Sequence, residues 1–338
     1  MRFRVNPLKA LFVGLRWLPT FAVGASWLRL PPVKSHPLFM NYVYLLFLLL
    51  LALPTATHAQ QDVSAFKRGR MRGDSLRTEL LRRIEDARPD YNADSVRAVI
   101  ESGPYFGIFR DNYFIGGIPI GGPVRRDNAN VKFQISIIHR LTKSRLPFDT
   151  YLFLQFTQKT IWNVLEESLP MRDLNFNPGV GLGHLIVYHN KYIGHALFML
   201  EHESNGKDGP ASRSWNKVSL SSTLLLNRHM EMQLKAWIPI VDGENNRNIL
   251  RYSGLAQMGL LYRTDNRRVQ AGMLATWRAH SFSFNTQWEL SLKISRHANQ
   301  YLFFQYYNGY GENLLDYDRF KSVLRLGMVI KPEGFSIY

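Results

Sequence analysis

From about residue 105 to residue 331 the chain alternates apolar and polar side chains with a period of two, in stretches broken by turn residues. At 131–137, Val131, Phe133, Ile135 and Ile137 fall on one side, and Lys132, Gln134 and Ser136 on the other. At 230–238, Met230, Met232, Leu234, Ala236 and Ile238 oppose Glu231, Gln233, Lys235 and Trp237. Strand-like stretches lie near 105–120, 131–142, 149–161, 177–189, 192–204, 214–228, 229–241, 251–264, 267–279, 281–295, 298–309 and 321–331. An even number of two-faced strands of this length is what a barrel of the bacterial outer membrane requires. Backbone groups in hydrocarbon must all be paired, so such a sheet closes on itself. The expected fold is all-β: a transmembrane antiparallel β-barrel of about 12 strands over 105–338, behind a short N-terminal arm of helical and irregular structure.

Connection lengths give an orientation. Asn190-Lys191, Asn227-Arg228 and Asp265-Asn266 are short connections, whereas 162–176, 205–213, 242–250 and 310–320 are longer. Outer-membrane barrels carry their long loops outside. Tyr301, Tyr306, Tyr307 and Trp288 near strand ends suit interfacial girdles, although aromatic packing in a soluble barrel would leave a similar pattern.

The region before the barrel reads as targeting and linker. Tyr42 to Leu53 is an apolar run, followed by Pro54 and a small-residue site at Thr57 and Ala59, the pattern of a secretory signal peptide ending before Gln60. The run is short for a membrane helix, which needs about 20 residues. Residues 1–59 are therefore assigned as leader, with Met40 an alternative start and a retained anchor the second reading. Residues 60–104 form a periplasmic arm, with helices expected at 75–87 and 93–102 ahead of Gly103-Pro104. The formal charge of +16 owes six positives to Arg2, Arg4, Lys9, Arg16, Arg29 and Lys34 of the leader, so it does not argue for nucleic acid. Cysteine is absent, which excludes disulfides, thiolate metal sites and cysteine nucleophiles.

Residues 200–218 carry the candidate chemistry. On an extended chain His202 and Ser204 share a face, the arrangement in which an imidazole can take a proton from a hydroxyl nucleophile. Asn216, across a polar loop, is a candidate third group to fix the imidazole tautomer. His202 and Ser204 follow Gly194, Ala196, Phe198 and Leu200, while His195, Glu201 and Glu203 take the other side. Asn216 shares its side with Val218, Leu220 and Leu224, opposite Lys217, Ser219, Ser221 and Thr223. In a barrel with a polar lumen, all three groups would project outward at the edge of the lipid band. The plainer reading is that they are polar residues next to a loop, beyond the bilayer edge.

The longer pattern strongly resembles the signature of the outer-membrane phospholipase A family: His202-x-Ser204-Asn205-Gly206, then Ser-Arg-Ser-Trp-Asn ending at Asn216. The similarity extends to Phe-Thr-Gln-Lys at 156–159, Glu-Glu-Ser-Leu-Pro-Met-Arg-Asp-Leu-Asn-Phe-Asn-Pro at 166–178 and Gly-Tyr-Gly-Glu-Asn-Leu-Leu-Asp-Tyr at 309–317. The resemblance implies a phospholipase acting on acyl esters of membrane glycerophospholipids (A1, A2 and lysophospholipase activity), calcium-dependent and active as a homodimer. It implies Ser204 as nucleophile, His202 as base and Asn216 as its orienting group. It further implies the backbone N–H of Gly206 as an oxyanion donor, and Lys207, Ser212 and, from a second subunit, Ser168 as Ca2+ ligands. Gln158 would lie in the dimer interface; it continues the apolar face of Leu152, Leu154 and Phe156, where an amide is best explained by a partner. The site would face the outer leaflet.

Other chemistries fit less well. His202-Glu203 is followed by Gly206 and not by the second histidine of a His-Glu-x-x-His zinc site. Glu201 and Glu203 share one side of a strand and leave no cleft between them for a glycoside. The alternative carried forward is a non-enzymatic channel or structural barrel that retains the motif, with a soluble serine esterase third.

Overall fold

The structure is a computed structural model that describes residues 89–240, 244–279, 282–295 and 299–332. The leader, the helix expected at 75–87 and most of the arm lie outside the described residues. The helix expected at 93–102 is present as α1, Ala93–Ser102. The Asn92 side chain accepts from the N–H groups of Asp94 (2.9 Å) and Ser95 (3.2 Å), satisfying two donors that the first helical turn leaves open.

The strands are β1 (Phe106–Ile108), β2 (Asn112–Pro119), β3 (Asn130–Arg140), β4 (Thr150–Trp162), β5 (Met171–Tyr188), β6 (Lys191–Ser204) and β7 (Ser214–Leu225). They continue as β8 (Met230–Ile240), β9 (Ala256–Arg263), β10 (Val269–Trp277), β11 (Phe284–Lys293), β12 (Gln300–Gly309) and β13 (Lys321–Ile330). From β2 onward each pairs antiparallel with its sequence neighbours, and β13 pairs with β2 through Leu326↔Gly116 to close the ring. β1 and β2 both pair with β3 and are two segments of one stave, so the barrel has twelve staves.

Three boundaries differ from expectation. The first stave is interrupted at Phe109–Asp111, where side chains replace the ladder: Asn112 Oδ1 accepts from Ser136 N (2.6 Å) and Ser136 Oγ from Arg110 N (3.2 Å). The long loop expected at 162–176 is only 163–170, because β5 already starts at Met171. A helix, α2 (Ile249–Ser253), replaces the first part of the strand expected at 251–264. It stops at Gly254, whose φ of +79° suits a residue without Cβ, and its Ile249 packs with Trp215 and Trp237.

The two faces separate as the alternation requires. Ile137, Leu154, Leu200, Ile238, Trp288 and Leu326 are exposed on the outside. Lys132, Ser136, Gln155, Glu201, Gln305 and Arg325 are buried in the lumen. At the end with short turns, Val96 and Ile100 of α1 pack with Leu185, Tyr192 and Leu225. At the long-loop end, 310–320 folds inward. Glu312, Asn313, Leu314, Asp316 and Tyr317 are buried, with Asn313 Nδ2 and Leu315 N donating to Asp173 Oδ2 at 3.1 and 2.9 Å.

Candidate active site

The geometry of the site follows from which residues of β6 and β7 are directly opposite. Asn205 N donates to Arg213 O at 3.0 Å just beyond the end of the ladder. Hydrogen-bonded and non-hydrogen-bonded pairs alternate along an antiparallel ladder, so the register pair His202↔Asn216 is of the second kind. In such pairs the Cα atoms approach to about 4.5 Å and the side chains meet. The imidazole Nδ1 accordingly lies 2.8 Å from Asn216 Oδ1. An amide oxygen only accepts, so Nδ1 carries the hydrogen and Nε2 keeps the lone pair a base needs.

Ser204 is the next residue on the same face, opposite Ser214 on β7 and Phe176 on β5. His202, Ser204 and Asn216 are each half-buried. Directly behind them the inward residues are tied by charge. Glu203 accepts from Lys217 Nζ (2.6 Å) and Trp215 Nε1 (3.1 Å), and Glu201 from Lys235 Nζ (2.6 Å) and the Ser219 hydroxyl. These contacts fasten β6 to β7 and β8 under the site. On the outer surface a groove of about 660 Å³ starts at His202 and Asn216 and runs past Leu200, Val180, Phe156 and Ile137. Its walls are hydrocarbon.

The 205–213 loop is knitted by Asn205, whose Oδ1 accepts from Arg213 N (2.9 Å) and whose Nδ2 donates to Ala211 O (2.9 Å). Gly206 has φ +63°, and a Cβ there would sit 3.2 Å from the Phe176 ring, so the position favours glycine. Lys207 Nζ donates to Arg172 O (2.7 Å), and its carbonyl takes no part in the hydrogen bonds among the described residues of the loop. The Ser212 hydroxyl likewise bonds to none of the described residues. No group of three or more His, Cys, Asp or Glu is gathered as a metal centre among the described residues. What the loop offers is a hydroxyl and a carbonyl oxygen, neutral hard donors of the type calcium takes.

Ser168 is exposed in the separate 163–170 loop at φ +63°, and no hydrogen bond joins it to Lys207 or Ser212. Gln158 is on the outer face between its register partners Ile135 and Phe176, two strands from Ser204, which is about 10 Å at ordinary strand spacing. Its Nε2 donates to Thr160 Oγ1 at 3.4 Å. Sequence reasoning assigned no role to Asp173, Asn175 and Asn177, which line the inner wall beside the site; their signal is an acid or amide at every second position of 173–177.

A family model described as Phospholipase A1 matches residues 121–330, from just before β3 to the end of β13. The chain belongs to the phospholipase A1 family. The family's phospholipase A1 from Proteus vulgaris is 32% identical over 216 residues, covering 60% of this chain and 71% of that protein. In fold it is similar to the crystal structure of the Salmonella typhi outer membrane phospholipase dimer with bound calcium. The TM-score is 0.61 at 22% identity, covering 71% of this chain and 98% of that one. It is similar, too, to an asparagine-to-alanine active-site mutant of the Escherichia coli outer membrane phospholipase A, with TM-score 0.61 at 23% identity over 71% of this chain and 98% of that one. Phospholipase A1 membership and the closed twelve-stave barrel together make this an outer-membrane protein of the hydrolase class.

Proposed function

We propose that the chain is a calcium-dependent phospholipase of the outer membrane that cleaves acyl esters of glycerophospholipids and lysophospholipids at Ser204, and that homodimerisation activates it. The observation that carries this is the 2.8 Å contact from His202 Nδ1 to Asn216 Oδ1, set on the outer face at the head of an apolar groove. A lipid ester lies near headgroup level, and this is the surface it would meet. Polar groups on a lipid-facing wall are costly and are kept for function.

Ser204 Oγ attacks the ester carbonyl as His202 Nε2 takes its proton. His202 then gives that proton to the leaving lysolipid alkoxide, and water attacks the acyl-Ser204 ester by the same route in reverse. The Gly206 N–H would donate to the carbonyl oxygen as it becomes an oxyanion. Asn216 fixes the ring by hydrogen bonding but, being neutral, cannot offset imidazolium charge, so a modest rate is expected. An active-site asparagine in the E. coli relative supports this role.

Calcium would be held by the Lys207 carbonyl, the Ser212 hydroxyl and Ser168 of the partner subunit, and it would supply positive charge opposite the oxyanion. The calcium-bound dimer of the S. typhi relative supports both the ion and the pairing. The long-loop end, which carries Ser204, would face the outer leaflet. A channel is the second reading. Against it, the 310–320 loop folds into the barrel mouth, where Glu312 is tied to Lys132 (3.3 Å) on β3 and Arg325 (2.5 Å) on β13.

The test is fatty-acid release from phosphatidylcholine micelles by the detergent-refolded chain, with calcium or with chelator. Release with calcium that falls to background with chelator is expected; equal release in both removes the ion from the function. Gln158→Ala is expected to weaken dimerisation, read by sedimentation in detergent with calcium, and to lower activity with it. An unchanged monomer–dimer balance would take Gln158 out of the interface.

A further inference from the structure

The barrel wall has a gap in its backbone ladder opposite His202. In the β5–β6 register Phe176 pairs with Ser204 and Gly179 with Glu201, and the two positions between them, 177 and 178 against 203 and 202, are unpaired. Because Asn205 bonds to β7, the alternation of amide directions turns the N–H and C=O of His202 toward β5, where the residue opposite is Pro178. Proline has no N–H to give and is ordinarily kept out of central strands for that reason. The carbonyl of His202 is not orphaned, however. Asn177 Nδ2 donates to it at 2.9 Å.

The orientation of that amide is itself fixed. Asn177 Oδ1 accepts from Gln155 Nε2 (3.4 Å), Gln155 Oε1 accepts from Thr157 Oγ1 (3.1 Å), and Thr157 Oγ1 meets Ser136 Oγ at 2.7 Å. Ser136, Thr157 and Asn177 are successive register partners on β3, β4 and β5, and Gln155 adjoins them on the same inner wall. All four are buried. A hydrogen-bonded row thus runs through three strands and ends on the backbone of the residue whose imidazole meets Asn216.

We propose that Asn177 is a positioning residue for His202: its side-chain amide takes the place of the N–H that Pro178 lacks, and so holds the β6 backbone where Nε2 can reach Ser204. This rests on the reading of His202, Ser204 and Asn216 as the catalytic groups. Freed of that bond, the unpaired stretch of β6 can shift, and misplacement of a base by even 1 Å is costly to rate.

Phospholipid hydrolysis by the refolded full chain with calcium tests this, using Asn177→Ala, the isosteric Asn177→Asp, and Asn177→Ala combined with Pro178→Ala, with Ser204→Ala as control. Folding is checked by heat-modifiable migration in gels. Asn177→Ala is expected to lower kcat roughly tenfold with KM within about twofold of the parent. Asn177→Asp, which fills the same space but points an acceptor at a carbonyl, should be at least as slow, and it keeps the test alive should the alanine chain not refold. The double substitution returns a backbone N–H opposite His202 and should recover most of the lost kcat. An Asn177→Asp chain as fast as the parent, or an alanine chain that the second substitution leaves unrescued, overturns the proposal. Parent activity that survives Ser204→Ala would instead overturn the catalytic reading beneath it, so the two failures are told apart.

Discussion

Replacing Ser204 with alanine is expected to lower kcat for fatty-acid release on the order of a millionfold. The size follows from what is removed. Without Oγ no acyl-enzyme can form, and the remaining groups can only bind the lipid and polarise its carbonyl. His202→Ala should cost nearly as much, because a serine hydroxyl has negligible nucleophilicity at neutral pH without a base, and the two losses are not additive. Asn216→Ala is expected to cost less than about 10⁴-fold, the upper bound set by removing a charged orienting group. Asn216 is neutral, and its work is to hold Nδ1 at 2.8 Å. Burst kinetics with a chromogenic ester, with the refolded barrel verified for each variant, reads all three. Retained release by Ser204→Ala would take the nucleophile's role from Ser204, whereas a folded parent that releases nothing would shift the function to the channel reading.

The same outward face explains how much of this molecule was legible in its sequence. A barrel wall in lipid must be apolar outside and can be polar inside, so each stave carries its own alternation, and β3 and β8 show it residue by residue. His202 and Ser204 were legible as a same-face pair for that reason. That Asn216 is the direct partner of His202 depends on register across the 205–213 loop, which spacing alone leaves open; the family motif carried it. The first third of β5, 171–176, reads as loop because its inward positions are Asp173 and Asn175, residue types that strands disfavour. Their partners lie some 140 positions away, where Leu314 N donates to Asn175 Oδ1 and Arg172 pairs with Asp316 at 2.8 Å. Local pattern carries no trace of such contacts. The role assigned to Asn177 is of the same kind, since it becomes visible only when Pro178 is set opposite His202.

Glu312→Gln is expected to destabilise the barrel by about 3–5 kcal/mol at neutral pH, the cost of stripping the partner from buried charge. Glu312 Oε1 accepts from Arg325 Nη1 (2.5 Å) and Lys132 Nζ (3.3 Å), and Oε2 from Arg325 Nη2 (3.2 Å). All three side chains are no more than 3% exposed. Gly117 makes room for this group, since a Cβ there would come within 2.3 Å of Arg325 Cγ. Glutamine keeps the shape and one acceptor but leaves two cations facing a neutral amide. The pH dependence follows from the same contacts. Burial alone would raise the Glu312 carboxyl, but Arg325 and Lys132 outweigh it and bring it from 4.5 down to about 2. A depressed carboxyl contributes stability that is complete above its unfolded value and is lost as pH falls through its folded one, so the window here is from about 4.5 to about 2. Unfolding midpoints in detergent, followed by tryptophan fluorescence because Trp215 and Trp237 pack on Leu314 and Tyr317, should fall across that window in the parent. In Glu312→Gln they should already be low at pH 7 and fall less across the window, because Asp316 keeps its own acid-labile pairing with Arg172. A variant as stable as the parent at pH 7 would mean that the Asp316–Arg172 and Asn313–Asp173 contacts suffice to hold the loop in the barrel mouth, with the buried triad adding nothing to them.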